Sequence, residues 1–180
     1  MNRIAQFEKV SFKQFKKDWL DTFSHKYNDW DDNEIDKAIY DIYTSIKLPK
    51  RATSGSAGYD FHCPSKLAIP LNGSIKIPTG IKCYMEEGWV LQCYPRSSHG
   101  FKHGSHLANT VGIIDKDYYN NENNEGHIFI KLVNDSTLAV SNVNIDTGDA
   151  FCQGILIPFG ITYDDKTDET RIGGIGSTGN

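Results

Sequence analysis

Two textures of apolar patterning divide the chain. Between Ser11 and Ser24, the aromatics Phe12, Phe15, Trp19 and Phe23 recur every three or four residues with lysines between them. That is the period of an amphipathic helix, and it predicts one over about residues 11–24. Ser11 stands three residues before Gln14, the spacing of a capping box in which each side chain takes up the other's free backbone group. Asp31, Asp32 and Asn33 then precede Ile35, Ala38 and Ile39, which predicts a short second helix. From Asp41 onward the pattern changes to short apolar runs cut by Gly, Pro, Asn and Asp. Strands are predicted over 42–48, 58–62, 67–69, 73–77, 81–85, 89–94, 110–114, 127–133, 138–143, 150–158 and 161–163. Such spacing with little helical period reads as all-β, a jelly roll or distorted barrel. The division is then an N-terminal helical extension over 1–45, a β domain over 46–163 and a Gly-rich arm over 164–180.

Composition sets limits on partners. Hydrophobic residues make up 38% of the 180, enough for a packed core. No apolar run approaches the ~20 residues of a membrane span. The N-terminus lacks the apolar stretch of a secretory signal, so a cytoplasmic location is expected. The first 50 residues balance nine Lys/Arg with nine Asp/Glu, and the rest hold ten against fourteen. An acidic body repels a long polyanion, which argues against nucleic-acid binding. Cys63, Cys83, Cys93 and Cys152 form no C-x-x-C pair and read as reduced, buried thiols.

Candidate chemistry concentrates between Pro95 and Tyr119. PRSSHG follows the apolar run WVLQCY, so its polar groups are offered at a strand end. Arg96 carries a donor fork suited to phosphate, and Ser97 and Ser98 add hydroxyls. A nucleophilic serine is the competing reading, but the G-x-S-x-G elbow is absent. His99, His103 and His106 have a metal-like spacing, yet sit among glycines and lysine in a loop rather than on one helix face. Asp115 follows an apolar pair, a position from which a carboxylate at the rim of a dry site can activate water. Tyr118 offers a ring to a sugar or base. Gln153 is the polar residue of FCQGILIPF; a buried amide needs a partner, either a strand neighbour or a ligand. Arg171 precedes a tail with four glycines in nine residues. The run 120–126, NNENNEG, reads as a solvated connection between strands.

Five pieces therefore stand in fixed order: SAGYD from Ser56, PRSSHG from Pro95, NTVGIIDKDYY from Asn109, GDAFCQ from Gly148 and RIGGIGSTG from Arg171. Together they resemble the trimeric dUTP diphosphatase (dUTPase) family of bacteria and bacteriophages, over roughly residues 46–180. The resemblance implies a jelly-roll homotrimer with sites shared between subunits, hydrolysing dUTP to dUMP and pyrophosphate with Mg2+. It implies Asp115 as the base that directs water to the α-phosphorus. Asn109 and the hairpin backbone through Gly112 and Ile114 would read the uracil edge, and the Tyr118 ring would lie under the deoxyribose. Arg96, Ser97, Ser98, Gly100 and Gln153 would hold the phosphates, with Asp60 bracing the water shell of the metal. Arg171 would reach the γ-phosphate, and Ile175, Gly176 and Ser177 would close over the substrate. The metal would be held by phosphates and water rather than by a protein cage.

Three departures stand out. Ile175 occupies the place of the family's usual stacking aromatic, in an arm about one residue short. Tyr119 and the Asn/Glu residues 120–125 intervene before Gly126, where the family has a glycine soon after the tyrosine. The first 45 residues have no counterpart in the minimal fold; they are expected on the outside of the trimer, dispensable for turnover when trimmed to residue 40. The 120–126 loop and the N-terminal helices are also where a protein partner would attach. The alternative activity on this fold, dCTP deamination, needs a glutamate base beside the pyrimidine, and none stands near Asn109–Tyr118.

Overall fold

The computed structural model describes residues 2–135 and 141–167. The chain opens with a strand rather than a helix. β1 (Ala5–Lys9) lies antiparallel to β6 (Ile81–Met85), with Phe7 opposite Cys83 and Glu8 opposite Lys82. α1 (Phe12–Phe23) follows, its start capped by the Ser11 hydroxyl accepting from the Gln14 N–H at 3.1 Å. Gln14 does not complete the predicted box; its amide donates to Asp18 instead, at 2.7 Å. The reciprocal carboxylate comes from Glu125, which accepts from the Ser11 N–H at 2.7 Å and from the Ser11 hydroxyl at 2.6 Å.

α2 (Asp32–Ser45) begins with a capping box between Asp31 and Glu34. It runs through 42–45, where a strand was expected. Ile35, Ala38, Ile39 and Ile42 continue the helical period, and the first turn bonded by this box lets the helix propagate past the strand-like composition.

The strands after α2 are β2 (Lys50–Arg51), β3 (Tyr59–His62), β4 (Leu67–Ile69), β5 (Ser74–Pro78), β6, β7 (Trp89–Pro95), β8 (Ser105–Leu107), β9 (Gly112–Ile114), β10 (Phe129–Asn134), β11 (Val143–Ile145) and β12 (Ala150–Pro158). A short helix, α3 (Ser97–His103), leads from β7 to β8. Five strands form one antiparallel sheet in the order β2-β3-β12-β7-β9. The others pair as β5-β10-β8, β11-β4 and β1-β6. The chain is mostly β, and among the described residues these sheets do not close into a barrel. The strand expected at 161–163 does not form; Ile161 and Tyr163 are exposed. Of 138–143, residues 138–140 lie outside the described residues, and the strand there is β11, starting at Val143.

One hydrophobic cluster runs through all of this. Phe15, Trp19 and Phe23 of α1 and Ile39 of α2 are buried together with Phe61, Ile77, Ile81, Leu91, Ile130 and Phe151 of the strands. Burying an aromatic of this size stabilises by about 3 kcal/mol, so the first 45 residues are not a purely helical appendage. They supply part of the core. The four cysteines are free and buried, as their apolar settings predict. No helix among the described residues is long and apolar enough to cross a membrane.

Candidate functional site

The five-stranded sheet brings three of the sequence pieces together at one end. β12 lies between β3 and β7 and sets Gln153 opposite Asp60 on one side and Tyr94 on the other. β7 then ends, and Arg96 takes the N-cap position of α3 with extended backbone, φ −74° and ψ 149°. From there its guanidinium donates to the Asp60 carboxylate at 2.9 Å. The Gln153 amide donates to the Pro95 carbonyl at 3.2 Å. Gly58 lies so close to this amide that a Cβ there would stand 2.5 Å from the Gln153 Oε1, so a larger residue would push the amide aside.

Ser97 and Ser98 begin α3 and are exposed. The strand end is followed at once by this helix, whose first N–H groups have no partners within it. Arg96 and Ser98 open onto a cleft of about 260 Å³, walled by His99, His103, Asn144 and Asp149 among others. The last four were not assigned to a site from the sequence, although Asp149 falls inside GDAFCQ. Gly100, in the middle of α3, is exposed.

His99 is buried, and its Nδ1 lies 3.0 Å from the Ser105 hydroxyl, which also meets the His99 carbonyl at 3.2 Å. Burial first, and then the nearby His103 and Arg96, hold its pKa below the ordinary value of 6.5. His62 on β3 is held down in the same direction, by burial and then by Lys47. His99 and His103, expected in a loop, stand one turn apart on α3 as ring neighbours, with centroids 6.0 Å apart. His106 points outward on β8.

The fourth piece, Asn109–Tyr119, is placed differently. Its turn holds Thr110 at φ 64°, and the Asn109 amide nitrogen lies within 3.8 Å of the Cβ position of Gly112. β9 then pairs antiparallel with β7, Gly112 opposite Cys93 and Ile114 opposite Leu91. This direction carries the chain away from Arg96. At about 3.3 Å per strand residue, Asp115 lies roughly 20 Å from Arg96 along the sheet. One chain therefore assembles Gly58, Asp60, Arg96 and Gln153 at one end and carries Asp115 towards the other.

Asp115 is half-buried at the entry to a single 3-10 turn over Lys116–Tyr118. Lys116 is tied to Glu87 across the β6–β7 turn. Tyr118 turns inward, 3% exposed. Its hydroxyl donates to the His127 carbonyl and accepts from Asn124, both at 2.8 Å. The 120–126 run is not a solvated connection. Asn121 is buried and bonds the Tyr118 carbonyl and Asn124 at 2.8 and 2.7 Å. Gly126, at φ +79°, passes where a Cβ would stand 2.6 Å from the Tyr118 carbonyl. Arg171, Ile175, Gly176 and Ser177 lie outside the described residues.

Residues 44–179 match the family model described as dUTPase. The deoxyuridine 5'-triphosphate nucleotidohydrolase of Lactococcus lactis is 46% identical over 137 residues, covering 74% of this chain and 89% of the relative. The protein of the same name from Finegoldia magna is 40% identical over 141 residues, covering 73% and 91%. Among solved structures, the dUTPase of Streptococcus mutans superposes with a TM-score of 0.62 at 34% identity, covering 87% of this chain and 97% of that one. The dUTPase of Staphylococcus bacteriophage 80alpha shares the fold, with a TM-score of 0.60 at 14% identity over 93% of this chain and 98% of that one. With three motifs joined at the end of one sheet and a family match over most of its length, this chain belongs to the dUTPase family.

Proposed function

We propose that this protein is a dUTP diphosphatase that converts dUTP to dUMP and pyrophosphate and so keeps uracil out of DNA. The observation that carries the reading is the joining of Gly58, Asp60, Arg96 and Gln153 from three separate motifs into one polar cluster. Asp60 fixes the Arg96 fork at the mouth of a polar cleft, where it and the α3 serines bind phosphate oxygens. Asp115 accepts a proton from a water whose oxygen bonds to the α-phosphorus. The bond from that phosphorus to the α–β bridging oxygen breaks, and pyrophosphate leaves against the arginine's charge.

The distance between Asp115 and Arg96 within one chain supports an assembly in which one subunit lends the carboxylate and another the phosphate cluster. A jelly-roll homotrimer, the arrangement that the motif resemblance implies, meets that need. Asn109 and the turn through Gly112 and Ile114 take the uracil edge. Buried Tyr118 supports this hairpin from beneath, so contact with deoxyribose falls to whichever part of its ring faces the completed site. Arg171 and the arm through Ile175, Gly176 and Ser177 close the site. Asp60 is a carboxylate already engaged by Arg96, so the residues here fit a magnesium ion carried by the substrate's phosphates and water rather than one caged by protein. Such an ion supplies charge neutralisation on the phosphates. Action in the cytoplasm, where deoxynucleotides are free, belongs to the same reading.

The test is pyrophosphate release from dUTP, UTP, dTTP and dCTP side by side, with magnesium present. Release from dUTP alone is expected. Equal turnover of UTP, or ammonia from dCTP without pyrophosphate, would overturn the assignment.

A further inference from the structure

Two segments lie outside the five motifs that carry the family resemblance, Tyr119 apart, and they grip each other. The first 43 residues lie outside the family match. The 119–126 segment directly follows the 3-10 turn over Lys116–Tyr118, whose N-cap is Asp115. At the near end of this segment, the Tyr119 hydroxyl donates to Glu8 Oε2 of β1 at 2.8 Å. Lys82, opposite Glu8 in the β1–β6 ladder, donates to Asn120 Oδ1 at 2.6 Å and stands over the Tyr119 ring. At the far end, Glu125 takes both donors of Ser11, the residue that caps α1. One residue beyond the segment, the buried His127 holds Asp18 of α1 through Nδ1 at 2.6 Å and accepts from the Gly80 N–H through Nε2 at 2.7 Å. The His127 carbonyl then receives the Tyr118 hydroxyl, and the Tyr118 N–H returns to the Asp115 carbonyl at 3.2 Å.

We infer that Glu8, Ser11 and Asp18 are positioning residues for the Asp115 hairpin, with the 119–126 segment as the part they hold. The inference rests on the proposed role of Asp115. The 119–126 segment is suited to transmit position because it is internally braced. Asn121 Oδ1 accepts from the N–H groups of Asn123 and Asn124 at 3.1 and 3.2 Å, and Asn124 Oδ1 accepts from the Gly126 N–H at 3.1 Å. The Asn120 N–H closes the loop on the Glu125 carbonyl at 3.1 Å. Grip applied at Tyr119 and Glu125 therefore reaches Tyr118 without slack. Burial works against the Glu125 charge, yet the Ser11 donors, together with Lys82 and His127, offset it and leave its pKa lowered. The N-terminal segment, expected to be dispensable on the trimer's outside, is on this inference a buttress of the reacting group.

The links at Ser11–Glu125 and Glu8–Tyr119 lie at the periphery, so they can be cut without opening the core. The variants are Glu125→Ala, Tyr119→Phe and the pair, with Glu125→Gln as the conservative control that keeps an acceptor for Ser11. Two readouts are taken on folded, full-length protein: kcat and KM for dUTP, and amide hydrogen exchange over residues 115–119. The pair is expected to lower kcat about tenfold, as small misplacement of a reacting group does. KM should move less than twofold, exchange over 115–119 should quicken, and Glu125→Gln should recover most of both. Unchanged exchange over 115–119 in the pair overturns the inference, whatever the enzyme turns over. Quickened exchange with unchanged kcat also overturns it. Faster exchange in a protein whose parent releases no pyrophosphate from dUTP leaves the hold on the hairpin standing and removes the reading of Asp115 instead.

Discussion

Arg96 and Asp60, 36 positions apart in sequence, meet at 2.9 Å across the end of a sheet in which β12 separates their strands. The arginine side chain keeps 38% of its surface while the aspartate keeps 16%. The carboxylate is the fixed partner and the guanidinium the one with spare donors facing outward. An ion pair this exposed contributes little to stability, so its value lies in aiming the arginine.

Arg96→Ala should therefore reduce kcat/KM for dUTP by about thirtyfold, the equivalent of about 2 kcal/mol for a lost charged hydrogen bond. Asp60→Asn should cost less, about fivefold, since the arginine remains but is no longer held. Steady-state kinetics on both variants check the order. Thermal unfolding should move little in either.

Gly58→Ala tests the close approach of the SAGYD backbone to Gln153. The new methyl falls on the Gln153 Oε1, so the amide must swing off the Pro95 carbonyl. KM for dUTP should rise several-fold, with a stability loss of about 1 kcal/mol. Urea unfolding alongside the kinetics separates the two effects.

Trp19→Ala tests whether the N-terminal helix belongs to the core. Trp19 is 1% exposed, and its Nε1 donates to the Tyr27 hydroxyl at 2.9 Å. Removing a buried indole costs about 3–5 kcal/mol, and chemical denaturation should register a loss of that size. A change under about 1 kcal/mol would mean that α1 merely rests on the surface.

Acid should weaken the fold before carboxylates titrate. His62 and His99 both have folded pKa values below the ordinary 6.5. The unfolded chain then binds more protons than the folded one as pH falls below 6.5, so these sites contribute stability above that value and lose it on acidification through their folded values. The melting temperature should fall between pH 7 and pH 5, and His99→Asn should flatten that slope.

The thiols should be silent in the native protein. Burial pushes Cys63 and Cys83 up to about 12. Cys152 is raised by its hydrogen bond with Cys93 and by burial. Since the thiolate is the reactive form, a chromogenic disulfide reagent should label none of the four quickly until denaturant is added.

The strand pattern was legible wherever apolar residues alternated between turn signals: β4, β6 and β12 fall where the residues place them. What escaped depends on partners distant in sequence. β1 is a strand because β6 offers it an edge, and AQFEK by itself carries too short an alternation to declare that. The stretch 42–45 has strand composition, but the capped helix before it extends through it. Ser11 signalled a cap correctly, while the carboxylate that completes it sits 114 positions away. In the site, motif order was enough to group Asp60, Arg96 and Gln153. The inward turn of Tyr118 and the bracing by Asn121 and Asn124 were not legible, because asparagines in a polar run look the same whether they face water or one another.

The stretch of sheet between Asp115 and Arg96 has a genetic corollary. On the proposed assembly, a chain lacking the carboxylate and a chain lacking the guanidinium carry their defects in different halves of a composite centre. Each alone is impaired, yet co-expressed they would form mixed oligomers in which some centres draw only intact halves. Complementation between two defective alleles would then restore part of the turnover, an outcome closed to any enzyme whose single chain holds its whole machinery.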